Sequence, residues 1–385
     1  MKVFFLIDAT FSERDFDRLG IEALMKNNFQ VFLWDFSKLR NEKNDLTPFE
    51  VDLEINKVNR FIFQDFQELL EKIKEVEKSY LFDLRSSSYK VYDTCWFKSH
   101  GAILVKFDQG LVPLDGWRPS VKDFLIIFRN NILNNGFTST ISRVLRYTYN
   151  NFLNQRKECY DIRVCSGSIS QCNDDEFEIR SHSYDYDIYL EEKNKNINTK
   201  KHIIFLDNGM TSHPDYEKLG IPPHCSEEVY YPLLRSFFTK VEDQIGLPVI
   251  VSLHPRLNID DSITEQFGNR EIISGKSAEL VKNAELVIAH NSTAINFAIL
   301  WSIPLIIVTT NQLERSIYYS MESLTQALKT SRININNPYE NLDFLEIAQE
   351  PIPQYNHFED RFIKVQNTPN LNSAEILIKG LQNYV

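Results

Sequence analysis

The chain has 385 residues, of which 43% are hydrophobic and 12% aromatic. This composition supplies enough apolar surface for two packed domains and excludes a globally disordered protein. The formal net charge is −11 at pH 7. That charge disfavours a nucleic-acid-binding protein, because such proteins derive much of their affinity from Lys and Arg side chains that neutralise phosphates.

The cysteines and the first residues indicate where the chain resides. The five cysteines are Cys95, Cys159, Cys165, Cys172 and Cys225. An odd number without a CxxC pair is typical of a reducing compartment and of a protein without structural zinc. The apolar run at residues 3–7 is too short for a signal peptide or a membrane span. We expect a cytoplasmic protein that uses no cofactor and no metal; peripheral contact with the inner membrane is compatible with this expectation.

The first half of the chain alternates apolar strands with amphipathic helices. The predicted strands are residues 3–8, 31–36, 60–63, 80–84, 102–107 and 160–164, and the predicted helices are residues 11–26, 66–77 and 121–133. No glycine-rich turn follows the first strand, so the dinucleotide-binding fingerprint is absent. We predict an amino-terminal α/β domain over residues 1–195, with a polar linker or surface excursion at residues 171–200.

The alternation restarts near residue 201. The predicted strands are residues 202–206, 248–253, 271–274, 285–289, 306–308 and 332–335, and the predicted helices are residues 226–245, 278–283, 294–301, 316–328 and 373–381. These elements predict a second doubly wound domain over residues 196–385. Its last helix is expected to pack against one of the two domains, and the sequence leaves open which one. The expected fold is therefore α/β, with two Rossmann-like domains facing a central cleft, which is a common place for a ligand.

Three predicted strands of the second domain end in polar motifs. The motifs are Asp207-Asn208-Gly209, His254-Pro255-Arg256 and His290-Asn291-Ser292-Thr293. Because ligands of open α/β sheets bind at the carboxyl ends of the strands, we expect the three motifs to reach one ligand. The helix start after the third motif favours an anion. A carboxylate suits a general base, while imidazole, guanidinium and hydroxyl groups suit a departing phosphate.

The order of these motifs resembles that of the bacterial GT-B sialyltransferases, and some bacterial Kdo transferases are similar. The shared features are an acidic residue in a motif that ends in Gly, then His-Pro, then a Ser/Thr pair, and they cover mainly residues 201–310. The resemblance implies that Asp207 is the general base and that His254 contacts the CMP phosphate or acts as general acid. It also implies that Ser292 and Thr293 hold that phosphate. Asn208 stands where the family motif has a second acid.

The resemblance implies a metal-independent glycosyltransferase of surface polysaccharide synthesis, such as that of capsule or lipopolysaccharide. The donor would be a CMP-activated acidic sugar, such as Kdo or a sialic-acid-like nonulosonic acid, and the acceptor a glycan or lipid-linked glycan. One alternative is a transferase of the same fold that uses a UDP-, GDP- or dTDP-sugar or transfers a polyol phosphate. Another is an inactive protein that only binds nucleotide or glycan.

Structural roles compete with functional ones at several of these positions. Asp207 can hold a turn, Ser292 and Thr293 can cap a helix, and His290 can be a satisfied strand-end histidine. Three further residues can either contact the substrate or be ordinary turn and surface residues. They are His213, Asp215 and Glu314. The Asp-Tyr-Asp pattern at residues 185–187 is expected in a solvated loop rather than at a metal.

Overall fold

The computed structural model describes residues 1–8, 11, 13–39, 58–85, 94–113, 159–195, 200–213, 216, 223–313, 315–330, 332–337, 339, 341–349 and 354–384. The helix predicted at residues 121–133 lies outside them, as do Asp215 and Glu314.

The first sheet has seven parallel strands in the order β3-β2-β1-β4-β5-β6-β7. They are β1 (Lys2–Ile7), β2 (Gln30–Asp35), β3 (Asn59–Ile62), β4 (Tyr80–Asp83), β5 (Ile103–Asp108), β6 (Ile162–Cys165) and β7 (Phe177–Arg180). Helices on both faces bury a parallel sheet, which is why its central strands are near-continuous apolar runs. In β1, residues 3–7 are all buried.

The second sheet has six parallel strands in the order β10-β9-β8-β11-β12-β13. They are β8 (His202–Leu206), β9 (Val249–Leu253), β10 (Ile272–Ser274), β11 (Ala284–Ala289), β12 (Leu305–Thr309) and β13 (Arg332–Asn334). Numbered within the domain, this order is 3-2-1-4-5-6, the doubly wound arrangement of nucleotide-binding folds. The order in which strands are added to the sheet reverses between β8 and β11, so the connections leave these two strands in opposite directions. A crevice forms there, at the carboxyl ends of the strands.

Thirteen α-helices, together with a 3-10 turn at Ile73–Val76 and a π-helix at Glu359–Ile363, accompany the two sheets within the described residues. The helices are α1 (Glu13–Arg18), α2 (Ile21–Lys26), α3 (Phe66–Lys72), α4 (Thr94–Ser99), α5 (Tyr184–Lys193), α6 (Glu227–Ile245), α7 (Asp261–Gln266), α8 (Ser277–Lys282), α9 (Ile295–Leu300), α10 (Arg315–Leu328), α11 (Phe344–Gln349), α12 (Tyr355–Phe358) and α13 (Ser373–Tyr384).

The predicted two-sheet α/β fold is confirmed, and two local predictions need correction. The helix expected at residues 11–26 is two helices, because Gly20 has a left-handed φ of 63° that ends one and begins the other. The linker expected at residues 171–200 instead contains β7, the edge strand of the first sheet, and α5. The domain boundary placed at residue 195 stays a prediction.

The last helix, α13, returns to the first domain. Leu377 and Leu381 are buried in the same apolar cluster as Val3 and Phe5 of β1. The Tyr80 hydroxyl donates a hydrogen bond to the carbonyl oxygen of Leu381. The end of the chain therefore completes the core of the domain in which the chain begins.

Cys95 and Cys159 form a disulfide, with their Cα atoms 5.5 Å apart. This bond runs against the expectation of a chain adapted to a reducing compartment, an expectation that rested only on cysteine number and spacing. Among the described helices, none combines the length and the apolar content that crossing a bilayer requires.

Candidate functional site

The three polar motifs lie at the carboxyl ends of adjacent strands of the second sheet. Asp207 follows β8, His254 follows β9 and the motif beginning at His290 follows β11, which pairs with β8. The Asn208 amide donates a hydrogen bond of 3.0 Å to the Asn291 side-chain oxygen. This bond bridges the loops on either side of the crevice between β8 and β11, so the motifs share the edge that the sheet topology makes a ligand site.

Asp207 is a buried carboxylate, with 7% of its surface exposed. It accepts hydrogen bonds from the backbone N–H groups of Gly209, at 3.1 Å, and of His254, at 3.4 Å. Burial outweighs these bonds and raises the pKa of Asp207 to about 6. A carboxylate with this pKa can accept a proton near neutral pH. Gly209 has a left-handed φ of 62°, which explains the glycine in this turn.

His254 is fixed by its own loop. The backbone N–H of Arg256 donates to Nδ1 of His254 at 3.3 Å, so the neutral ring carries its proton on Nε2. The His213 ring lies edge-on to it, with ring centroids 4.6 Å apart. His254 can therefore present an N–H donor to a phosphate oxygen. Arg256 itself is exposed.

Ser292 and Thr293 form the turn that leads into α9. The Ser292 hydroxyl accepts a hydrogen bond of 3.2 Å from the backbone N–H of Ala294. Ser292 therefore stabilises the turn before the helix, which is the structural role considered for it in the sequence analysis. Its side chain is partly exposed, and Thr293 is exposed. Both residues border the same cavity as Asp207 and His254.

That cavity has a volume of about 380 Å³ and lies between the two domains. On the second-domain side it is bordered by Asp207, His254, Ser292 and Thr293, as well as by residues of α8. Side chains from outside the second sheet complete the wall: they are Arg14, Arg18, Asp185, Ile188 and Glu192. The strand-end motifs are thus brought together, whereas their chemical roles stay predictions.

His290 does not belong to this site, and its assignment as a phosphate ligand is corrected. Its ring is fully buried, Nε2 lies 2.7 Å from the Tyr230 hydroxyl and Nδ1 lies 2.8 Å from the carbonyl oxygen of Val308. Burial lowers the pKa of His290 to about 4, so the ring is neutral at pH 7. Both nitrogens are used inside the core, and the imidazole stabilises the end of β11 instead of binding a ligand.

Asn291 and His213 lie at the edges of the site. The Asn291 amide donates to the Ser320 hydroxyl at 3.4 Å as well as pairing with Asn208. These bonds connect the β8 and β11 loops to α10. His213 contacts the His254 ring. Neither residue borders the 380 Å³ cavity, so the structure gives them supporting positions.

Asp185, Arg14 and Arg18 were not assigned to the site from the sequence. Asp185 is buried on α5, and the Asn296 amide of α9 donates to its carboxylate at 2.8 Å. Burial raises the pKa of Asp185. Two sequence signals could have found these residues: Asp185 begins the Asp-Tyr-Asp pattern, and the arginines are four residues apart just after the first strand.

Two groups of side chains in the described residues have the residue types of metal ligands. The two carboxylates of the Asp-Tyr-Asp pattern have different partners, because Asp187 accepts a hydrogen bond from the backbone N–H of Ser373 at 2.8 Å. Elsewhere, Cys165, Cys172 and Glu178 bring their ligand atoms within 4.8 Å of one another. Burial raises the pKa of the Cys165 thiol, and Arg180 pairs with Glu178.

Two Rossmann-like domains that face each other across a cleft define the GT-B type of architecture. A variant of the wall teichoic acid polymerase TagF is similar, with 13% identity over 100% of this chain and 89% of that chain and a TM-score of 0.52. CalG4, the calicheamicin glycosyltransferase, is similar with 8% identity over 100% of this chain and 98% of that chain and a TM-score of 0.50. At these identities the likeness shows a shared fold. No protein-family model matches the chain, and no curated protein matches it in sequence.

Proposed function

We propose that the chain is a glycosyltransferase that moves an acidic sugar from a CMP-activated donor onto a bacterial surface glycan or lipid-linked glycan. The observation that carries the proposal is the shared cavity of Asp207, His254, Ser292 and Thr293 between two domains. A base and a set of phosphate ligands on one cavity are what transfer from a phosphate-linked donor requires. The GT-B-like architecture supports the same reading.

In the proposed reaction, an acceptor hydroxyl loses its proton to the Asp207 carboxylate as its oxygen attacks the donor sugar. The bond between the sugar and the phosphate oxygen breaks, and its electron pair stays on the CMP phosphate. The Nε2–H group of His254 and the hydroxyls of Ser292 and Thr293 donate hydrogen bonds to that phosphate. These hydrogen bonds stabilise the negative charge on the leaving phosphate, and the proposed reaction uses no metal ion.

The donor nucleotide can be tested by thermal unfolding with CMP, UDP, GDP and dTDP. A ligand at a hundred times its dissociation constant stabilises a protein by about 2.7 kcal/mol, which is measurable. We expect CMP to raise the unfolding temperature most. Stabilisation by UDP but not by CMP would replace the proposed donor with a UDP-sugar.

The role of Asp207 can be tested with Asp207→Asn. The amide keeps the hydrogen bonds to Gly209 and His254 but cannot accept a proton, so CMP binding should persist. Transfer should fall by a factor of about 10²–10⁴, the usual contribution of a general base. Full transfer activity in this variant would remove Asp207 from the mechanism. If the native chain neither transfers the sugar nor hydrolyses the donor, the alternative of an inactive nucleotide-binding protein is favoured.

A second candidate is a transferase of polyol phosphate, because one similar structure is that of a wall teichoic acid polymerase. Such a reaction also releases CMP, so the same phosphate-binding groups would serve it. The two candidates differ in the group that is transferred. CMP release from CDP-glycerol but not from CMP-N-acetylneuraminate would favour this second candidate.

A further inference from the structure

Arg14 and Arg18 bring two guanidinium groups to the cleft from the first domain. They are four residues apart on α1, so their side chains lie on one face of the helix. Both border the 380 Å³ cavity that contains Asp207 and His254. Both also border a second cavity of about 620 Å³, to which α2, α5 and the start of α13 contribute. The arginines therefore lie where the two cavities meet.

Within the part of the chain that the structure describes, neither arginine forms an ion pair with a carboxylate. Arg18 lies over the Tyr184 ring, with its guanidinium carbon 5.5 Å from the ring centroid. The pKa of Arg14 lies below its ordinary value because neighbouring atoms exclude solvent and because Arg18 and Arg256 repel its charge. An arginine stays protonated at neutral pH, so positive charge accumulates here.

The nearby carboxyl groups compensate this charge incompletely. The carboxyl groups that border the 380 Å³ cavity are Asp185, Glu192, Asp207 and Glu279. Glu192 pairs with Lys195 and Glu279 pairs with Lys276, so neither is left to balance the arginines alone. Asp185 accepts a hydrogen bond from the Asn296 amide, and burial raises the pKa of Asp185. Other carboxylates border only the second cavity: they are Glu13, Asp17, Glu22, Asp187 and Glu191. An anion is therefore favoured at the junction, next to the guanidinium groups, and disfavoured deeper in the second cavity.

We propose that Arg14 and Arg18 form a second anion site in the cleft, which binds a carboxylate or phosphate group carried by the transferred sugar or by the acceptor. The planar guanidinium group binds either oxyanion through two parallel hydrogen bonds. The site is distinct from Ser292 and Thr293, which serve the leaving phosphate. Assigning the anion to a substrate rests on the proposed function, whereas binding of an anion here does not.

The anion site can be tested by calorimetric titration of inorganic phosphate in the Ser292→Ala/Thr293→Val background, which lacks the proposed contacts to the leaving phosphate. Adding Arg14→Gln and Arg18→Gln should weaken phosphate binding about tenfold. The matched control adds Lys26→Gln and Lys193→Gln, which remove the same charge from α2 and α5 outside both cavities. Equal affinity in the arginine and control variants, or no saturable binding in the parent background, overturns the proposal.

A second titration identifies which substrate carries the anion. CMP and CMP-N-acetylneuraminate are titrated into the native chain and into Arg14→Gln/Arg18→Gln. An affinity advantage of the CMP-sugar over CMP that disappears in the variant assigns the anion to the transferred sugar. An unchanged advantage together with weakened phosphate binding assigns it to the acceptor. If no nucleotide binds the native chain, the proposed function fails while the phosphate titration still decides the anion site.

Discussion

At the scale of single residues, the site contains a carboxylate held in an unfavourable environment. Asp207 sits at the buried end of β8, where its charged form loses hydration. An unfolded aspartate has a pKa of about 3.9, so folding raises the pKa by about two units. The folded state therefore binds the proton more tightly, and its stability falls as pH rises from about 4 to about 6.

This penalty predicts that Asp207→Asn stabilises the protein at high pH. With a folded pKa of about 6, the gain in the free energy of unfolding is about 3 kcal/mol at pH 8 and much smaller at pH 4. The reason is that the amide cannot ionise, whereas burial opposes ionisation of the Asp207 carboxyl group. Thermal unfolding of both proteins at the two pH values measures the difference. If Asp207→Asn is less stable than the native chain at pH 8, or changes the unfolding temperature equally at both pH values, burial does not raise the pKa of Asp207.

His290 illustrates the opposite outcome, a residue with suitable chemistry but a structural position. Its identity and its place after a strand are readable in the sequence, but the direction of its side chain is not. The residue follows directly after β11, where the alternation of the strand no longer tells which way a side chain points. The Tyr230 hydroxyl that satisfies Nε2 is 60 positions away in the chain.

Tyr230→Phe tests this structural role. The change leaves the buried Nε2 of His290 without a partner, so we expect a loss of about 1–3 kcal/mol in the free energy of unfolding. CMP affinity should be unchanged, since His290 does not line the cavity. Tyr339→Phe is the control, because its hydroxyl makes an exposed hydrogen bond of 3.3 Å to Ser236. A large loss of CMP affinity in Tyr230→Phe at unchanged stability would return His290 to the site.

At the scale of elements, the sequence predicts best those that carry their own pattern. Buried strands such as β8 and β11 are short apolar runs, and the sequence places their ends within about one residue. Five of the ten residues of helix α5 are charged, and their spacing leaves no apolar face that would reveal the helix. It is held instead by distant partners, Asn296 for Asp185 and Ser373 for Asp187. Interactions of that kind leave no local signal.

The position of α13 makes an element-level prediction. Leu381 is fully buried among residues of the first domain, so Leu381→Ala should cost about 2–5 kcal/mol through lost burial and a cavity. Hydrogen exchange should show the loss of protection in β1 and β4 rather than only in α13. Leu345→Ala is the matched control, because Leu345 is 47% exposed. Loss of protection confined to the second sheet would mean that α13 belongs to that domain.

At the scale of the whole molecule, the fold follows from alternation of strands and helices, whereas the cleft does not. The apolar runs predict two parallel sheets, and both are present. Periodicity carries no information on how two domains face each other, so the wall formed by Arg14, Arg18 and Asp185 appears only in three dimensions. The sequence therefore predicts the strand-end motifs of the candidate site. It does not predict the side chains that face those motifs across the cavity.

The central claim is that groups distant in sequence converge on the phosphate of one CMP-linked donor. Calorimetric titration of CMP into the native chain, His254→Ala and His357→Ala tests it most directly, since His357 is exposed on α12 and lines neither cavity. We predict saturable binding to the native chain, an affinity about tenfold weaker in His254→Ala, and no change in His357→Ala. Equal CMP affinity in all three proteins, or no binding to the native chain, would contradict the account.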